Sequence, residues 1–285
     1  MKKQQLIVAG SGVLLFCLIY FFGRTVPKKD PNAPAPTAQA GNAASQSIDL
    51  KSILEASKKQ LTASQQAFVS QLESAVVRGN VKEQQIKVYR QLAGFWRDSA
   101  HLLLPYAYYT AEASKLENSE KSLTFAAHYF LSELRRQNEP GIKKWMAVEA
   151  KELFEKALVL NPANDSSKVG LGSCYLFGQI SETPMQGIQM IMEVANRDPN
   201  NMYAQFMLGM GGLESQHFDK AIDRLSKVAA AQPDNLEAVL GLAEAYERKG
   251  DKTNAIKWYE ASKRFFTNDK QILQEIDARI ALLKK

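Results

Sequence analysis

Residues 199–233 read PNNMYAQFMLGMGGLESQHFDKAIDRLSKVAAAQP. Two apolar stripes at helical spacing lie inside this stretch, one through Leu208-Gly209 and one through Ala221, Leu225 and Val228. A proline stands at each end. Pro162, Pro199 and Pro233 lie 37 and 34 residues apart, and each follows an amphipathic run. A period in the thirties marks stacked helical hairpins, each too thin to bury its own apolar face. The fold class that follows is all-α, a solenoid of antiparallel helix hairpins.

The neighbouring stretches repeat the pattern. One reads Leu171-Gly172, Tyr175, then Gly187, Ile191 and Val194, and ends at Pro199. Another reads Val239, Leu242-Ala243, Tyr246, then Ala255, Tyr259 and Ser262, and ends at Thr267. Small residues (Gly172, Gly209, Ala221, Ala243, Ala255) stand where two helix backbones must approach, and large ones (Leu171, Tyr175, Leu208, Leu242, Tyr246, Tyr259) fill the space beside them. Proline stops the second helix and sets the turn into the next repeat.

This pattern resembles the tetratricopeptide (TPR) family, W-x2-L-G-x2-Y, then A-x3-F, then P. The resemblance is clear over 161–268 and degenerate over 48–160; it is partial over 119–162, where Ala150, Phe154, Ala157 and Pro162 match a second helix. The family's tryptophan position holds Lys168, Gln205 or Val239, its tyrosine position holds Gly212 in the middle repeat, and its proline is Thr267 in the last. The first clear repeat carries three extra residues, assigned to Gly178–Pro184.

Upstream, Met1-Lys2-Lys3 precede an apolar run of seventeen residues, Leu6–Phe22. Its bulky end, Tyr20-Phe21-Phe22, has no small-residue cleavage site close behind it, which favours an uncleaved single-pass anchor over 1–26 rather than a signal peptide. Phe16 before Cys17, and Leu18-Ile19 after it, argue against a lipid-modified cysteine. Lys2 and Lys3 on one side nearly balance Arg24, Lys28 and Lys29 on the other, so flanking charge alone does not orient the span. A short N-terminus before one span places the repeats outside the cytoplasm, on the periplasmic side of a bacterial cell membrane. Residues 27–47 are rich in Pro, Ala, Asn, Gln and Ser and read as a disordered tether.

Helices follow over Ile48–Leu61, then from the capping box Thr62-x-x-Gln65 with Phe68, Leu72, Ala75 and Val76 inward and Gly79-Asn80 as its end. Further helices carry Tyr89, Leu92, Ala93 and Trp96; Tyr106, Tyr108, Tyr109 and Ala113 after Pro105; and Phe125, Ala126, Tyr129 and Phe130. Asn138–Gly141 reads as a turn before a long helix over 142–160. Asp269 opens a capping helix over 269–285 with Ile272, Ile276, Ile280 and Leu283 on one face, the lid a solenoid end needs.

The formal net charge of +6 is concentrated at the start, since residues 1–30 hold five Lys/Arg and one Asp. The rest is nearly balanced, so the basic balance is no nucleic-acid signal. Arg135-Arg136 and Lys143-Lys144 read as solvated helix surface. Cys17 and Cys174 are not expected to pair. His101, His128 and His217 show no metal-ligand spacing, and Gly170-x-Gly172 and Gly209-x-Gly211-Gly212 do not complete a phosphate loop. No metal, cofactor or catalytic residue is expected, and the chain reads as a non-enzyme.

The resemblance implies that first helices line a groove. Motif alignment puts Val169, Ser173, Leu176 and Phe177, then Tyr203, Phe206, Met210 and Leu213, then Glu237, Leu240, Glu244 and Glu247 on it. One end is apolar and the other acidic, which suits an apolar helix or extended peptide carrying Lys or Arg at one end. The Lys and Asn clamp by which chaperone-binding members hold a terminal carboxylate is absent from these positions. The expected function is a membrane-tethered protein-interaction adaptor or scaffold, assisting envelope protein assembly or maturation. A self-associating scaffold, or an accessory subunit of an enzyme complex, are the alternatives.

Overall fold

The computed structural model describes residues 50–78, 81–180 and 184–285. The chain divides into two units, Met1–Gln46 and Ser47–Lys285, and every described residue falls in the second. The expected anchor, the tether and the helix end at Gly79-Asn80 lie outside the described residues. Among the described residues no helix is long and apolar enough to cross a membrane.

Thirteen α-helices and no strand occur there: α1 (Leu50–Lys58), α2 (Ala63–Arg78), α3 (Lys82–Asp98), α4 (Leu103–Glu117), α5 (Glu120–Arg136), α6 (Pro140–Leu160), α7 (Asp165–Phe177), α8 (Met185–Arg197), α9 (Met202–Glu214), α10 (Phe218–Ala231), α11 (Leu236–Lys249), α12 (Lys252–Ser262) and α13 (Lys270–Leu283). A 3₁₀ turn at Lys263–Phe265 leads towards α13. Helices α3–α4, α5–α6, α7–α8, α9–α10 and α11–α12 pair as hairpins, and each second helix also packs on the first helix of the next hairpin.

The three prolines do the same work each time. Helices α6, α8 and α10 stop one residue before Asn161, Asp198 and Gln232, and the proline follows. Proline has no amide to continue the helix. Two residues after each proline, Asn164, Asn201 and Asn235 cap the next helix, their side-chain oxygens accepting from the amides of Ser167, Ala204 and Ala238 at 2.8–3.0 Å. The amides of these asparagines bond back to the carbonyls of Asn161, Asp198 and Gln232 at 3.0–3.1 Å. One turn geometry therefore recurs at every junction between the clear repeats.

Within a hairpin the backbones nearly touch. A Cβ added to Gly172 of α7 would lie 2.7 Å from the Gly187 carbonyl of α8, and one on Gly187 would lie 2.2 Å from the Gly172 carbonyl. The seven-residue connection Gly178–Pro184 between these helices is longer than Ser215–His217 or Gly250-Asp251 in the next two hairpins, in keeping with the extra residues assigned there, though residues 181–183 lie outside the described set.

One core runs from α4 to α11 through Phe130, Leu153, Phe154, Val169, Phe177, Ile191, Leu225 and Leu242, all nearly solvent-free. A second, more aromatic core joins α1 to α4 around Leu61, Val69, Leu92, Trp96, Tyr106 and Tyr109. Tyr129 touches both and meets Tyr106 edge-on at 4.9 Å between ring centres. Polar pins reinforce this part. Tyr109 donates to Glu73 at 2.5 Å while Lys58 pairs with the same carboxylate at 2.7 Å. Lys115 of α4 holds Glu149 and Glu152 of α6 at 2.8 and 3.0 Å.

Some side chains face otherwise than expected. Val69, not Phe68, is buried on α2; Phe68 is 45% exposed and leans on Phe95 of α3, 5.5 Å between ring centres. Ala75 is also exposed. The Thr62–Gln65 box does form, the Thr62 amide donating to Gln65 Oε1 at 3.0 Å, but α3 meets the adjoining stripe. Phe125 is 59% exposed because its neighbours Leu123 and Ala126 take the buried face of α5. The turn at 138–141 is shorter than its sequence suggests. Glu139 caps α6, its carboxylate accepting from the Gly141 and Ile142 amides, and Pro140 becomes the first helical residue. The capping helix α13 behaves as expected, with Ile276 and Ile280 buried and Asp269 capping it.

Two glycine substitutions should move stability in opposite directions. Gly187→Ala places a methyl against backbone and is expected to destabilise by roughly 1–3 kcal/mol. Gly94→Ala, in the middle of α3 with open space around it, is expected to stabilise by about 0.5–1 kcal/mol. Urea unfolding of each variant checks both signs.

Candidate interaction face

First helices α5, α7, α9 and α11 approach one another in succession, whereas no comparable approach links α6 to α8, α8 to α10 or α10 to α12. The first helices therefore line the shorter, inner side of the stack. All twelve sequence-assigned groove residues lie on helices of this row, and they divide into three groups.

Val169, Ser173 and Phe177 of α7, and Phe206 and Leu213 of α9, are buried. Ser173 spends its hydroxyl on the Val169 carbonyl at 2.8 Å. Val169, Phe177 and Phe206 belong to the main core and Leu213 to a smaller one with Ala221 and Ala245, so the stripe that alignment assigns to a groove is one the stack uses for its own packing. Leu176, Tyr203, Met210 and Leu240 are half-buried, and Glu237 and Glu244 are exposed. Leu176 lies against Gly211 of α9, and the Met210 sulfur against Gly241 of α11. Glu247 serves the other end of the molecule. It accepts from Tyr259 of α12 at 2.8 Å and from Arg279 Nε of α13 at 3.0 Å, pinning the capping helix.

Arg135, expected on solvated helix surface, organises the face. Arg135, near the end of α5, places its guanidinium carbon 5.0 Å from the Phe206 ring centre and 5.9 Å from that of Phe177. Its Nη1 donates to Glu237 Oε2 at 2.9 Å, and Arg136 stands 3.9 Å from the other carboxylate oxygen. Glu214 lies within electrostatic reach of Arg135 and Lys143. The face is thus bipolar, with cations from α5 and α6 opposite carboxylates from α9 and α11. No local pattern announces this, because the partners stand 102 residues apart.

His128 is a second link that spacing did not reveal. Its Nε2 lies 2.8 Å from the Ser166 hydroxyl of α7, its Nδ1 3.4 Å from the Tyr203 hydroxyl of α9, and its ring meets Phe154 of α6 edge-on. A serine within hydrogen-bond reach of a histidine is half of a nucleophile–base arrangement. Here Nδ1 faces the Tyr203 hydroxyl, and the ring is wedged between Phe154 and Tyr203, so the contact joins helices. Burial pushes the Cys174 thiol up, away from the reactive thiolate. Among the described residues no cluster of three or more His, Cys, Asp or Glu could hold a metal ion. A cleft of about 520 Å³ lies between α3, α4 and α5, lined in part by Arg90, Arg97, Tyr106, Thr110, Lys121 and Phe125.

A tetratricopeptide repeat family model matches residues 206–270. Residues 206–270 carry the tetratricopeptide pattern. Among solved structures, the chain is similar to the MamA protein, at 18% identity over 62% of this chain and 89% of that one, with a TM-score of 0.41. It is also similar to MamA 41-end from Desulfovibrio magneticus RS-1, at 17% identity over 65% and 97%, TM-score 0.42. A third is YrrB, described as a TPR protein with an unusual peptide-binding site, at 18% identity over 66% and 90%, TM-score 0.40. No curated protein matches the sequence.

Burial holds the His128 imidazole below its ordinary value of 6.5. The folded chain then binds this proton more weakly than the unfolded chain. The stability tied to His128 is complete above 6.5 and declines as pH falls below it. Denaturant unfolding from about pH 7.5 to about pH 5 should show a smaller acid loss for His128→Gln than for the wild type. Parallel losses in both would contradict this.

Proposed function

We propose that this protein is a membrane-tethered adaptor that holds a protein partner against the inner face of its repeats. One observation carries the reading. Four first helices converge on one side and leave there a half-buried apolar strip (Tyr203, Met210, Leu240) flanked by the exposed carboxylates Glu237 and Glu244. Such a strip suits a helix or extended segment with apolar side chains and basic residues at one end. Binding, not catalysis, is what these side chains equip the face to do.

The tether rests on the sequence. Leu6–Phe22 is apolar and flanked by lysines and arginine, which supports a single-pass anchor, and residues 27–47 have the composition of a flexible spacer. In this reading the repeats work at the surface of a cell membrane, on the periplasmic side, and assist the assembly or maturation of envelope proteins.

Crosslinking in membranes followed by affinity capture tests the adaptor reading. A Leu240→Glu, Glu244→Lys variant with an unchanged helical circular-dichroism spectrum should lose most of a partner that the wild type recovers; equal recovery would remove the inner face from the account. For the tether, protease added to spheroplasts should digest the repeats and leave a membrane-protected N-terminal fragment. Repeats intact in spheroplasts and cut only after lysis would reverse the orientation.

A further inference from the structure

Arg135 occupies a seat built by three other helices. Phe177 of α7 and Phe206 of α9 offer their rings, 5.9 and 5.0 Å from the guanidinium carbon, and Glu237 of α11 offers a carboxylate at 2.9 Å. Two aromatic faces and one carboxylate around a planar cation make a guanidinium-binding site. Guanidinium stacks on rings and matches carboxylates better than ammonium does. The seat is firm on its aromatic side, since Phe177 and Phe206 are only 2% and 7% exposed. It is open on its anionic side, since the Glu237 side chain is 47% exposed. The cation reaches this seat across the stack from α5, past two intervening first helices. The core that joins these helices runs through Val169, Ala204 and Ala238.

We propose that the seat is a binding site for an arginine side chain of the partner, and that Arg135 fills it in the free protein as an internal stand-in. This rests on the adaptor reading above and names the partner's chemistry. The segment carries an arginine flanked by apolar residues, the flanks meeting Tyr203, Met210 and Leu240. Charge complementarity supports the choice. Lifting Arg135 away leaves Glu237 with Arg136 alone, 3.9 Å from its other oxygen, and an incoming guanidinium restores the closer pair. The exchange replaces like with like, so ring contacts and ion pair are remade rather than lost.

Arg135 then sets a threshold. A tethered side chain competes at an effective concentration on the order of millimolar. An isolated arginine in solution does not displace it at lower concentration, whereas a segment whose flanking residues also bind the face does. A lysine in the same segment lacks the planar fork and competes less well.

The test uses the full-length chain in detergent and a short blocked, fluorescent peptide with leucines on both sides of one arginine. Its twin carries citrulline, which keeps the shape and lacks the charge. Anisotropy is measured on the wild type and on Arg135→Ala, Arg135→Gln, and Arg135→Ala combined with Glu237→Gln. Removing the competitor should tighten arginine-peptide binding by about tenfold or more. The citrulline peptide should gain nothing, and Glu237→Gln should cancel the gain. Arg135→Gln keeps a stem over the rings, so it serves if Arg135→Ala fails to fold, with the same direction expected. Equal arginine-peptide affinity in the wild type and the folded Arg135 variants overturns the proposal, as does a gain shared by citrulline. If that happens while membrane crosslinking still recovers a partner at the inner face, the seat falls and the adaptor stands. If crosslinking fails as well, the adaptor reading falls with it.

Discussion

A proline that cannot donate an amide hydrogen bond, followed two residues later by an asparagine that accepts one, is the constraint on which the stack depends. At Pro162, Pro199 and Pro233 the same four-residue turn closes one helix and opens the next, with the capping bond at 2.8–3.0 Å each time. A fixed turn fixes the angle between successive hairpins. Small rotations then add along the chain in one direction, and the first helices come to lie on the inner side.

That geometry decides which residues remain free to bind. Because α5, α7, α9 and α11 pack on one another, the aromatic stripe of α7 and α9 is consumed in the core, and only its edges reach solvent. The polar groups at those edges are drawn into the same closure. Arg135 lies over Phe177 and Phe206 and reaches Glu237, which ties the first hairpin of this row to the last. A cation stacked on rings and paired at the rim is less costly to desolvate than a lone charge, and it can exchange for another cation of the same shape.

The two ends of the described unit are finished differently. At the C-terminal end α13 lays Ile276 and Ile280 on the stack and is held by Arg279 to Glu247. At the N-terminal end α1 and α2 cover α3 and α4 through a separate aromatic core, joined to the main one at Tyr129. Both devices answer the same need, since an open hairpin at either end would expose an apolar face.

Helix positions, the repeat period, the capping box at Thr62–Gln65 and the lid helix were legible in the sequence. They rest on bonds between residues two to four apart and on apolar spacing along one helix. The facing of Phe68 against Val69, and of Phe125, was not legible, because neighbouring stripes on one helix differ only in which partner helix arrives. The candidate face was legible only in outline: five of the residues assigned to it are core, Glu247 holds the lid, and the role of Arg135 has no local signature. By itself the sequence determined an all-helical repeat, through local hydrogen bonding and periodicity. The tertiary structure alone decided which side chains meet across the row. The contact between Arg135 and Glu237 spans 102 residues and exists only because the rotations of the intervening hairpins add up to bring them together.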